Sequence, residues 1–286
     1  MRIEWKDEIP LQIDLEQTAS SGQCFRWQAA GGGAYRVPNG EKCLAIAPGS
    51  VPGRVRVDVT AEEFARDWAD YFDAGRDYAA ICRSAQEDSF LCACAAVAGG
   101  VRVLRQDAWE MLITFTISQN NNIPRIRASV DKLCRRFGHP VAKGVRGCPA
   151  LYSFPAPEAL RDVKKLKGLG LGYRDRYLAA LADGVCTGAI DLDALKKMPY
   201  AQAHAYLTGL FGVGVKVANC VCLFGLGHAD AFPVDTWIKK ILDAEYREGF
   251  PLEKYPGCAG IVQQWMFYAV QSGQVELKKE EKTPRI

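Results

Sequence analysis

Hydrophobic and polar positions alternate in two different ways along this chain, and the change divides it into two regions. Over residues 1 to about 58, short apolar runs follow a period of two and are separated by glycine and proline. Such runs are typical of strands joined by tight turns. The segment FRWQAAGGGAYRV, residues 25–37, predicts a hairpin that turns at three consecutive glycines. We therefore predict a small antiparallel sheet in this region.

From about Asp107 onward, apolar residues recur at helical spacing. Asp107 and Glu110 form a capping-box pattern there, and Thr60 with Glu63 forms another before a helix rich in aromatic residues. The apolar segment 89–104 has no clear period and fits either a strand or a buried connection. Helices are expected from 107 to the asparagines at 120–122, over 124–137, 155–165 and 173–182, from 199 towards the turn at 212–214, and over 234–246 and 258–272.

The two patterns predict an α+β protein in which a small N-terminal antiparallel-sheet domain packs on a larger α-helical domain. We expect the sheet domain, with its flanking helices, to span residues 1–104 and the helical domain to span 105–275. The last residues, 276–286, are strongly charged and are expected to form a solvated tail.

Composition excludes some classes of protein. The 286 residues carry a net charge of +3 and are 49% hydrophobic, which is ordinary for a globular protein. No apolar run is long enough to cross a bilayer, and the charged first ten residues lack the apolar core of a signal peptide, so an intracellular protein is expected. A sequence pI of about 8.2 is compatible with nucleic-acid binding only through a local concentration of positive charge.

The eleven cysteines do not form a metal-binding pattern. They are scattered, contain no C-x-x-C unit, and include two C-x-C pairs, Cys92–Cys94 and Cys220–Cys222, in apolar surroundings. Reduced and mostly buried thiols are therefore expected, as in a reducing cytosol. The three histidines are too scattered to suggest a zinc site, so we expect neither a metal nor an organic cofactor.

Candidate chemistry is concentrated in residues 207–237, LTGLFGVGVKVANCVCLFGLGHADAFPVDTW. Gly212 and Gly214 form a tight turn between two apolar helical patterns, and the unpaired N–H groups that open the second helix are suited to a phosphate oxygen. Lys216 follows this turn in a segment almost free of charge, where desolvation of an amine favours its nucleophilic form. A Pro-Val-Asp sequence that ends at Asp235 closes a glycine-rich loop and begins another helix.

Each of these features also has an ordinary structural explanation. A glycine turn often only connects two helices, an aspartate in this position often only caps one, and a lysine can extend its amine from an apolar helix to water. Their occurrence together and in this order favours a functional site. The run GLGLG at 168–172 follows a polar segment rather than an apolar strand, which disfavours a dinucleotide site and favours a turn that approaches a phosphate backbone.

The whole stretch resembles the helix-hairpin-helix/Gly-Pro-Asp superfamily of DNA glycosylases and, within it, the 8-oxoguanine DNA glycosylases. The resemblance implies that Lys216 attacks C1′ of the damaged nucleotide and that Asp235 supports the reaction. It also implies that the hairpin at Gly212 and Gly214 contacts a DNA phosphate. The firm part of the resemblance covers about residues 107–270.

Further motifs extend the resemblance to a pocket for a flipped base. The segment SGQCFRW, residues 21–27, is similar to an early signature of the family, in which the glycine, here Gly22, offers its carbonyl to the N7 proton of 8-oxoguanine. The resemblance places Cys220 and Phe267 on the two faces of the base and Gln263 at its edge. On their own, a cysteine and a phenylalanine are equally typical of a hydrophobic core. Beyond SGQCFRW, the N-terminal region matches the family only loosely.

The resemblance also implies contacts to the base opposite the lesion. Asn120, Arg125 and Arg174 match the residues that hold a cytosine there, and Tyr173 matches the wedge beside it. An asparagine and two arginines can satisfy the acceptors of cytosine and leave other bases poorly paired. One position departs from the family, because Trp237 stands where many eukaryotic members have a phosphate-contacting histidine.

The implied function is that of a bifunctional glycosylase and AP lyase that excises 8-oxoguanine, preferably opposite cytosine, from double-stranded DNA in base excision repair. A monomer is expected, in the cytosol of a prokaryotic cell and associated with the nucleoid. Two alternatives remain open: a glycosylase of the same superfamily with another damaged base as its target, and a non-catalytic DNA-binding hairpin module. The apolar surroundings of Lys216 and the Pro-Val-Asp sequence favour catalysis.

Overall fold

The computed structural model describes residues 3–142 and 149–278. Its N-terminal part contains five strands: β1 (Asp7–Pro10), β2 (Gln28–Gly31), β3 (Ala34–Asn39), β4 (Lys42–Pro48) and β5 (Arg54–Val57). They form one antiparallel sheet in the order β1-β5-β4-β3-β2. The predicted hairpin is confirmed as β2–β3, and all three of its turn glycines have positive φ, which glycine adopts without a steric penalty.

Helices make up most of the rest of the described chain, which confirms the α+β prediction. They are α1 (Leu15–Ser20), α2 (Ala61–Asp67), α3 (Tyr78–Ser84), α4 (Ser89–Ala98), α5 (Ala108–Ser118), α6 (Ile123–Phe137), α7 (Pro157–Leu160), α8 (Asp175–Cys186), α9 (Leu192–Lys197), α10 (Tyr200–Thr208), α11 (Val215–Phe224), α12 (Thr236–Glu245) and α13 (Ala259–Gln271). Two further strands, β6 (Pro140–Ala142) and β7 (Leu151–Tyr152), pair with each other. The predicted solvated tail falls outside the described residues from 279 onward, and Cys148 also lies outside them.

The segment 89–104 is a helix followed by a buried connection, so a strand is the wrong interpretation of its first half. Asp88 accepts a hydrogen bond from the N–H of Leu91 at 2.9 Å and so caps α4. This helix packs against α13, and small apolar residues of the helix also occupy its exposed side. The apolar pattern therefore has no polar face from which a helical period could be recognised. After α4 the chain runs extended, with Val101 and Leu104 fully buried.

Two other helix boundaries differ from the prediction. The helix expected over 155–165 is reduced to α7, because the Asp162 carboxylate accepts the N–H of Lys164 at 2.9 Å and so favours a turn there. The helix expected from 173 begins two residues later, as α8, after a 3-10 turn over Gly172–Arg174.

Two hydrophobic clusters form the core of the described residues. One lies between the sheet and the region of α2, where four aromatic side chains pack against strand residues such as Val37 and Ile46; they are Phe64, Trp68, Tyr71 and Phe72. The other lies among the helices, where α11 packs on α5 and α13 on α4. Six of the ten cysteines in the described part of the chain are buried, as expected.

A buried ion pair joins the two clusters. Arg26 lies in the loop that precedes β2, and its NH1 donates to Glu110 Oε2 on α5 at 3.1 Å. The capping box predicted at Asp107 is therefore only half formed. Asp107 accepts the N–H of Glu110 at 2.8 Å, but the Glu110 carboxylate turns inward to the guanidinium instead of returning to the cap. The box at Thr60 and Glu63 has both of its bonds.

Stability should depend on the protonation of Glu110. Burial raises the pKa of this carboxyl from 4.5 to about 7, and the charge of Arg26 opposes part of that rise. Because the folded-state pKa is the higher one, the favourable contribution is complete below about pH 4.5 and is lost as the pH rises to about 7. We expect this group to remove roughly 2–3 kcal/mol from the free energy of unfolding across that window.

Unfolding by urea at several pH values, for the wild type and Glu110→Gln, measures this effect. The difference between the two free energies of unfolding should change between pH 4.5 and 7 and become constant above 7. Glu63→Gln is the control, because the hydrogen bond from the Thr60 N–H lowers the pKa of the exposed Glu63 carboxylate and gives a dependence of opposite sign. A flat difference for Glu110→Gln would contradict the prediction.

Candidate active site

A cavity of 680 Å³ lies where the end of α5, the start of α6, the hairpin turn, the start of α12 and the end of α13 meet. This volume is within the range of about 300–1,000 Å³ that ligand pockets usually have. Among the described residues that line it, only Lys216 and Asp235 are charged. A second cleft of 720 Å³ lies beside residues 244–249, but no predicted site residue lines it.

The hairpin between α10 and α11 carries the candidate nucleophile. Gly212 has φ +83, and a Cβ at this position would lie 2.3 Å from Cγ of Tyr177, so only glycine fits. Gly214 is the N-cap of α11 and faces open space. No side chain caps this helix, so its first N–H groups are available to an anionic oxygen such as a phosphate.

Lys216 extends from the first turn of α11 into the cavity. Its Nζ donates a hydrogen bond to Ser118 Oγ at 3.2 Å and lies 5.0 Å from the ring centroid of Phe115. The amine is therefore held between a hydroxyl and an aromatic face at the cavity wall. Its side chain is only partly exposed, so the alternative in which it extends fully into bulk water does not describe this lysine.

Asp235 is the N-cap of α12 and also lines the cavity. Its Oδ1 accepts the N–H groups of Trp237 and Ile238, both at 2.9 Å. The ordinary explanation of Asp235 as a helix cap is therefore correct, and it accounts for one of the two carboxylate oxygens. Both bonds go to Oδ1, and no described residue donates a hydrogen bond to Oδ2 of Asp235. This second carboxylate oxygen is left for another role in the cavity.

Gly22 and Phe267 form another part of the cavity wall. Gly22 has φ +74, and a Cβ on it would lie 3.2 Å from Cε1 of Phe267, so the glycine allows both the turn and the close approach of the ring. The next residue, Gln23, fixes this loop, because its side chain donates to the carbonyl of Arg102 at 2.8 Å and accepts the N–H of Leu104 at 2.8 Å.

Cys220 and Gln263 lie behind the wall rather than on it. Each is 2% exposed, and neither lines the cavity. Burial raises the pKa of the Cys220 thiol, and the nearby Lys216 opposes that rise. Gln263 Nε2 donates to the carbonyl of Pro233 at 3.0 Å, and its Oε1 accepts from Gln264 at 3.0 Å. Contacts of these two side chains with a base stay predictions.

Among the described residues predicted to contact the opposite base, Asn120 alone lines the cavity. Asn120 has φ +46, and Tyr173 is 45% exposed. Arg125 is exposed on α6. Arg174 is 6% exposed, and its guanidinium donates to the carbonyls of Gln119 and Asn120, the latter at 3.0 Å. The structure therefore brings Arg174 to the Asn120 loop through the backbone of that loop.

Several polar or aromatic residues of the cavity wall were not identified from the sequence as contributors, among them Phe115, Ser118, Gln119 and Gln271. Gln271 lies one helical turn after Phe267 on α13, so its spacing is a signal that could have been used. Trp237 is 36% exposed, and the Nζ of Lys240 lies 4.9 Å from its ring centroid, a cation–π pair at the cavity mouth.

The described residues contain no cluster of three or more histidine, cysteine, aspartate or glutamate side chains arranged to hold a metal ion. None of the helices in residues 3–142 and 149–278 has the length and apolar character needed to span a membrane.

Known proteins resemble the chain in sequence. Residues 8–112 match the family model described as 8-oxoguanine DNA glycosylase, N-terminal domain. The match therefore includes the N-terminal region beyond SGQCFRW, where the resemblance seen in the sequence was only loose. The N-glycosylase/DNA lyase of Saccharomyces cerevisiae is 35% identical over 161 residues. That alignment covers 52% of this chain but only 42% of the yeast protein, so the chain spans less than half of this curated relative.

Solved structures resemble the chain over almost its whole length. The structure of MBOgg1 in complex with a low-affinity DNA ligand has a TM-score of 0.85 and 32% identity, and the match covers 96% of this chain and 100% of that one. The Clostridium acetobutylicum 8-oxoguanine glycosylase/lyase, in complex with DNA containing cytosine opposite 8-oxoguanine, has a TM-score of 0.85 and 29% identity over the same shares. The chain belongs to the 8-oxoguanine DNA glycosylases of the helix-hairpin-helix/Gly-Pro-Asp superfamily.

Proposed function

We propose that this protein is a bifunctional DNA glycosylase and AP lyase that removes 8-oxoguanine, preferably opposite cytosine, from double-stranded DNA. One observation carries the proposal: among the described residues, one amine and one carboxylate, those of Lys216 and Asp235, are the charged groups of a cavity that Gly22 and Phe267 also line. An amine and a carboxylate that face the same cavity support displacement at a sugar carbon. The family membership supports the choice of base.

The reaction begins when the damaged nucleotide leaves the base stack and enters the cavity. The lone pair of Lys216 Nζ forms a bond to C1′, and the bond from C1′ to N9 breaks, so its electron pair leaves with the base, which takes up a proton. Opening of the sugar ring then gives a Schiff base between C1′ and Nζ. Loss of a C2′ proton expels the 3′ phosphate by β-elimination and nicks the strand. Water finally releases the lysine.

Asp235 and Gly22 supply the electrostatic parts of this proposal. Positive charge develops on the sugar as the base departs, and the carboxylate of Asp235 stabilises it. The carbonyl of Gly22 distinguishes the damaged base, because 8-oxoguanine has a donor at N7 where guanine has an acceptor. Guanine would place two acceptors against each other at this position, which leaves both without a hydrogen bond. Phe267 provides an aromatic face on which the base can stack.

Recognition of the opposite cytosine is assigned to Asn120, Arg125 and Arg174, with Tyr173 as the wedge that fills the gap. Gly212 and Gly214 place the open end of α11 against a phosphate. We also propose that the protein acts as a single chain on chromosomal DNA, in the cytosol of a prokaryotic cell and near its nucleoid.

Excision from end-labelled duplexes tests the proposal. Each duplex carries one 8-oxoguanine opposite C, A, G or T, and parallel duplexes carry an oxidised pyrimidine or an alkylated base. We expect a nicked strand without alkali treatment from the 8-oxoguanine·C duplex, at a rate about tenfold or more above the other pairings, since each base-specific contact changes the free energy of recognition by about 1–3 kcal/mol. Extra product after alkali would measure excision that is not followed by elimination.

The other outcomes have distinct meanings. Binding of every duplex without any nicked product would support a non-catalytic hairpin module. Product only from the pyrimidine or alkylated-base duplexes would show that the enzyme excises a different damaged base, as other glycosylases of the superfamily do. Equal rates opposite all four bases would remove the cytosine preference while leaving the chemistry in place.

A further inference from the structure

The segment Ser118–Asn120, at the end of α5, touches three parts of the site. Ser118 Oγ accepts the hydrogen bond of Lys216 Nζ at 3.2 Å. Gln119 Nε2 donates to the carbonyl of Gly212 in the hairpin turn at 2.7 Å. The amine and the turn that carries it are therefore both held by neighbouring residues of one short segment.

The same segment is anchored from the opposite-base side. Arg174 Nε donates to the carbonyl of Gln119 at 2.9 Å, and NH2 donates to the carbonyl of Asn120 at 3.0 Å. Asn120 has φ +46, a conformation that residues other than glycine rarely adopt and that persists only when surrounding contacts enforce it. One guanidinium therefore holds the carbonyls of both Gln119 and Asn120, so a displacement of Asn120 disturbs a bond that also anchors Gln119.

The hairpin turn has little freedom to absorb such a displacement. Gly212 is packed so closely against Tyr177 that a Cβ would lie 2.3 Å from the ring, and its carbonyl is held by Gln119. The turn is thus held between the Tyr177 ring and the Gln119 amide, and Lys216 follows four residues later. Packed elements of this kind tend to adopt discrete arrangements rather than deform gradually.

We propose that Gln119 is a positioning residue that couples the base opposite the lesion to the Lys216 amine. The coupling rests on the proposed function, because it requires Asn120 to contact that base. When cytosine holds Asn120, Gln119 fixes the hairpin turn and Ser118 meets Nζ, so the amine is directed at C1′. When another base displaces Asn120, the bonds of Gln119 and Ser118 shift, and the amine is misdirected. A misplacement of about 1 Å can cost about 100-fold in rate.

The test is Gln119→Met, which keeps the length of the side chain and removes its N–H donor. Single-turnover excision of 8-oxoguanine is measured opposite each of the four bases, together with duplex affinity. We expect the rate opposite cytosine to fall about tenfold or more, while the rates opposite the other bases change less than about threefold. The discrimination between cytosine and the other bases should therefore collapse, with affinity changed by less than about threefold.

Gln17→Met is the matched control. The Nε2 of Gln17 also donates to a distant backbone carbonyl, that of Val97, at 3.0 Å, but Gln17 does not line the cavity. This variant should keep the wild-type discrimination. If Gln119→Met slows all four pairings equally, its role is only structural and the coupling is excluded. If it matches the wild type opposite cytosine, the coupling is also excluded.

A measurement without excision separates this proposal from the proposed function. Amide hydrogen exchange in the free protein should be faster over residues 212–217 in Gln119→Met than in the wild type, and unchanged there in Gln17→Met. A wild type that excises nothing overturns the proposed function, but unchanged exchange in Gln119→Met overturns the coupling by itself. Gln119→Ala provides a second variant if the methionine does not fit.

Discussion

Lys216→Gln is expected to abolish the covalent adduct that borohydride traps between this protein and 8-oxoguanine DNA. A trapped adduct requires a Schiff base, and among the described residues that line the cavity Lys216 is the sole amine. Glutamine is one bond shorter than lysine but keeps a polar N–H group at its end, so the site should remain folded. We expect single-turnover excision to fall by at least about 10³-fold, since removal of an attacking nucleophile typically costs this much or more.

Lys239→Gln is the matched control for this variant. Lys239 lies on α12, is exposed and pairs with Asp243 at 3.0 Å, so its loss removes one positive charge of the protein without touching the cavity. It should be trapped as efficiently as the wild type. Duplex affinity of Lys216→Gln should stay within about fivefold of the wild type, since the proposed phosphate contact is made by the backbone N–H groups that open α11, which this substitution leaves in place. Trapping that persists in Lys216→Gln would assign the Schiff base to another amine.

Local sequence signals predicted the parts of this molecule that depend on neighbouring residues. The Thr60–Glu63 capping box and the three-glycine hairpin turn are found where the sequence indicated. Asp235 caps α12 as its position before an apolar pattern suggested. In each case the relevant bonds join residues a few positions apart, so the sequence contains both partners within one short window.

Features that depend on distant partners were not predictable in this way. Glu110 was expected to complete a capping box, but Arg26, 84 positions earlier in the chain, offers a buried opposite charge. The bond from Gln119 to the carbonyl of Gly212 joins residues 93 positions apart. No pattern of spacing indicates such a partner, because the fold alone brings the two segments together.

The residues expected around the base show the same difference between what the sequence indicates and what only the fold decides. Gly22 and Phe267 line the cavity together, and the resemblance had named both. The resemblance named Cys220 and Gln263 as well, but their side chains are buried against Lys216 and the Pro233 carbonyl. Helical periodicity places residues on a face of α11 or α13, but it does not tell how far behind the cavity surface each side chain ends.

Asp235→Asn is expected to separate the structural role of this residue from its electrostatic role. Asparagine is as good an N-cap as aspartate, so it can still accept the N–H groups of Trp237 and Ile238, and the free energy of unfolding should change by less than about 0.5 kcal/mol. The negative charge in the cavity is lost. Because charge stabilisation at a reacting centre is typically worth about 10²–10³-fold, we expect excision to slow by that factor.

Two further variants distinguish the loss of the helix cap from the loss of the negative charge. Asp235→Ala removes both roles, so it should add a loss of about 1 kcal/mol in stability to a similar loss of rate. Asp191→Asn changes another N-cap, which accepts the N–H of Ala194 at 2.8 Å outside the cavity, and should alter neither quantity measurably. If Asp235→Asn excises 8-oxoguanine as fast as the wild type while Asp235→Ala is slow, the carboxylate acts through the position of α12 and not through its charge. The sugar cation would then need another source of stabilisation, and within the described lining of this cavity there is no second carboxylate to supply it.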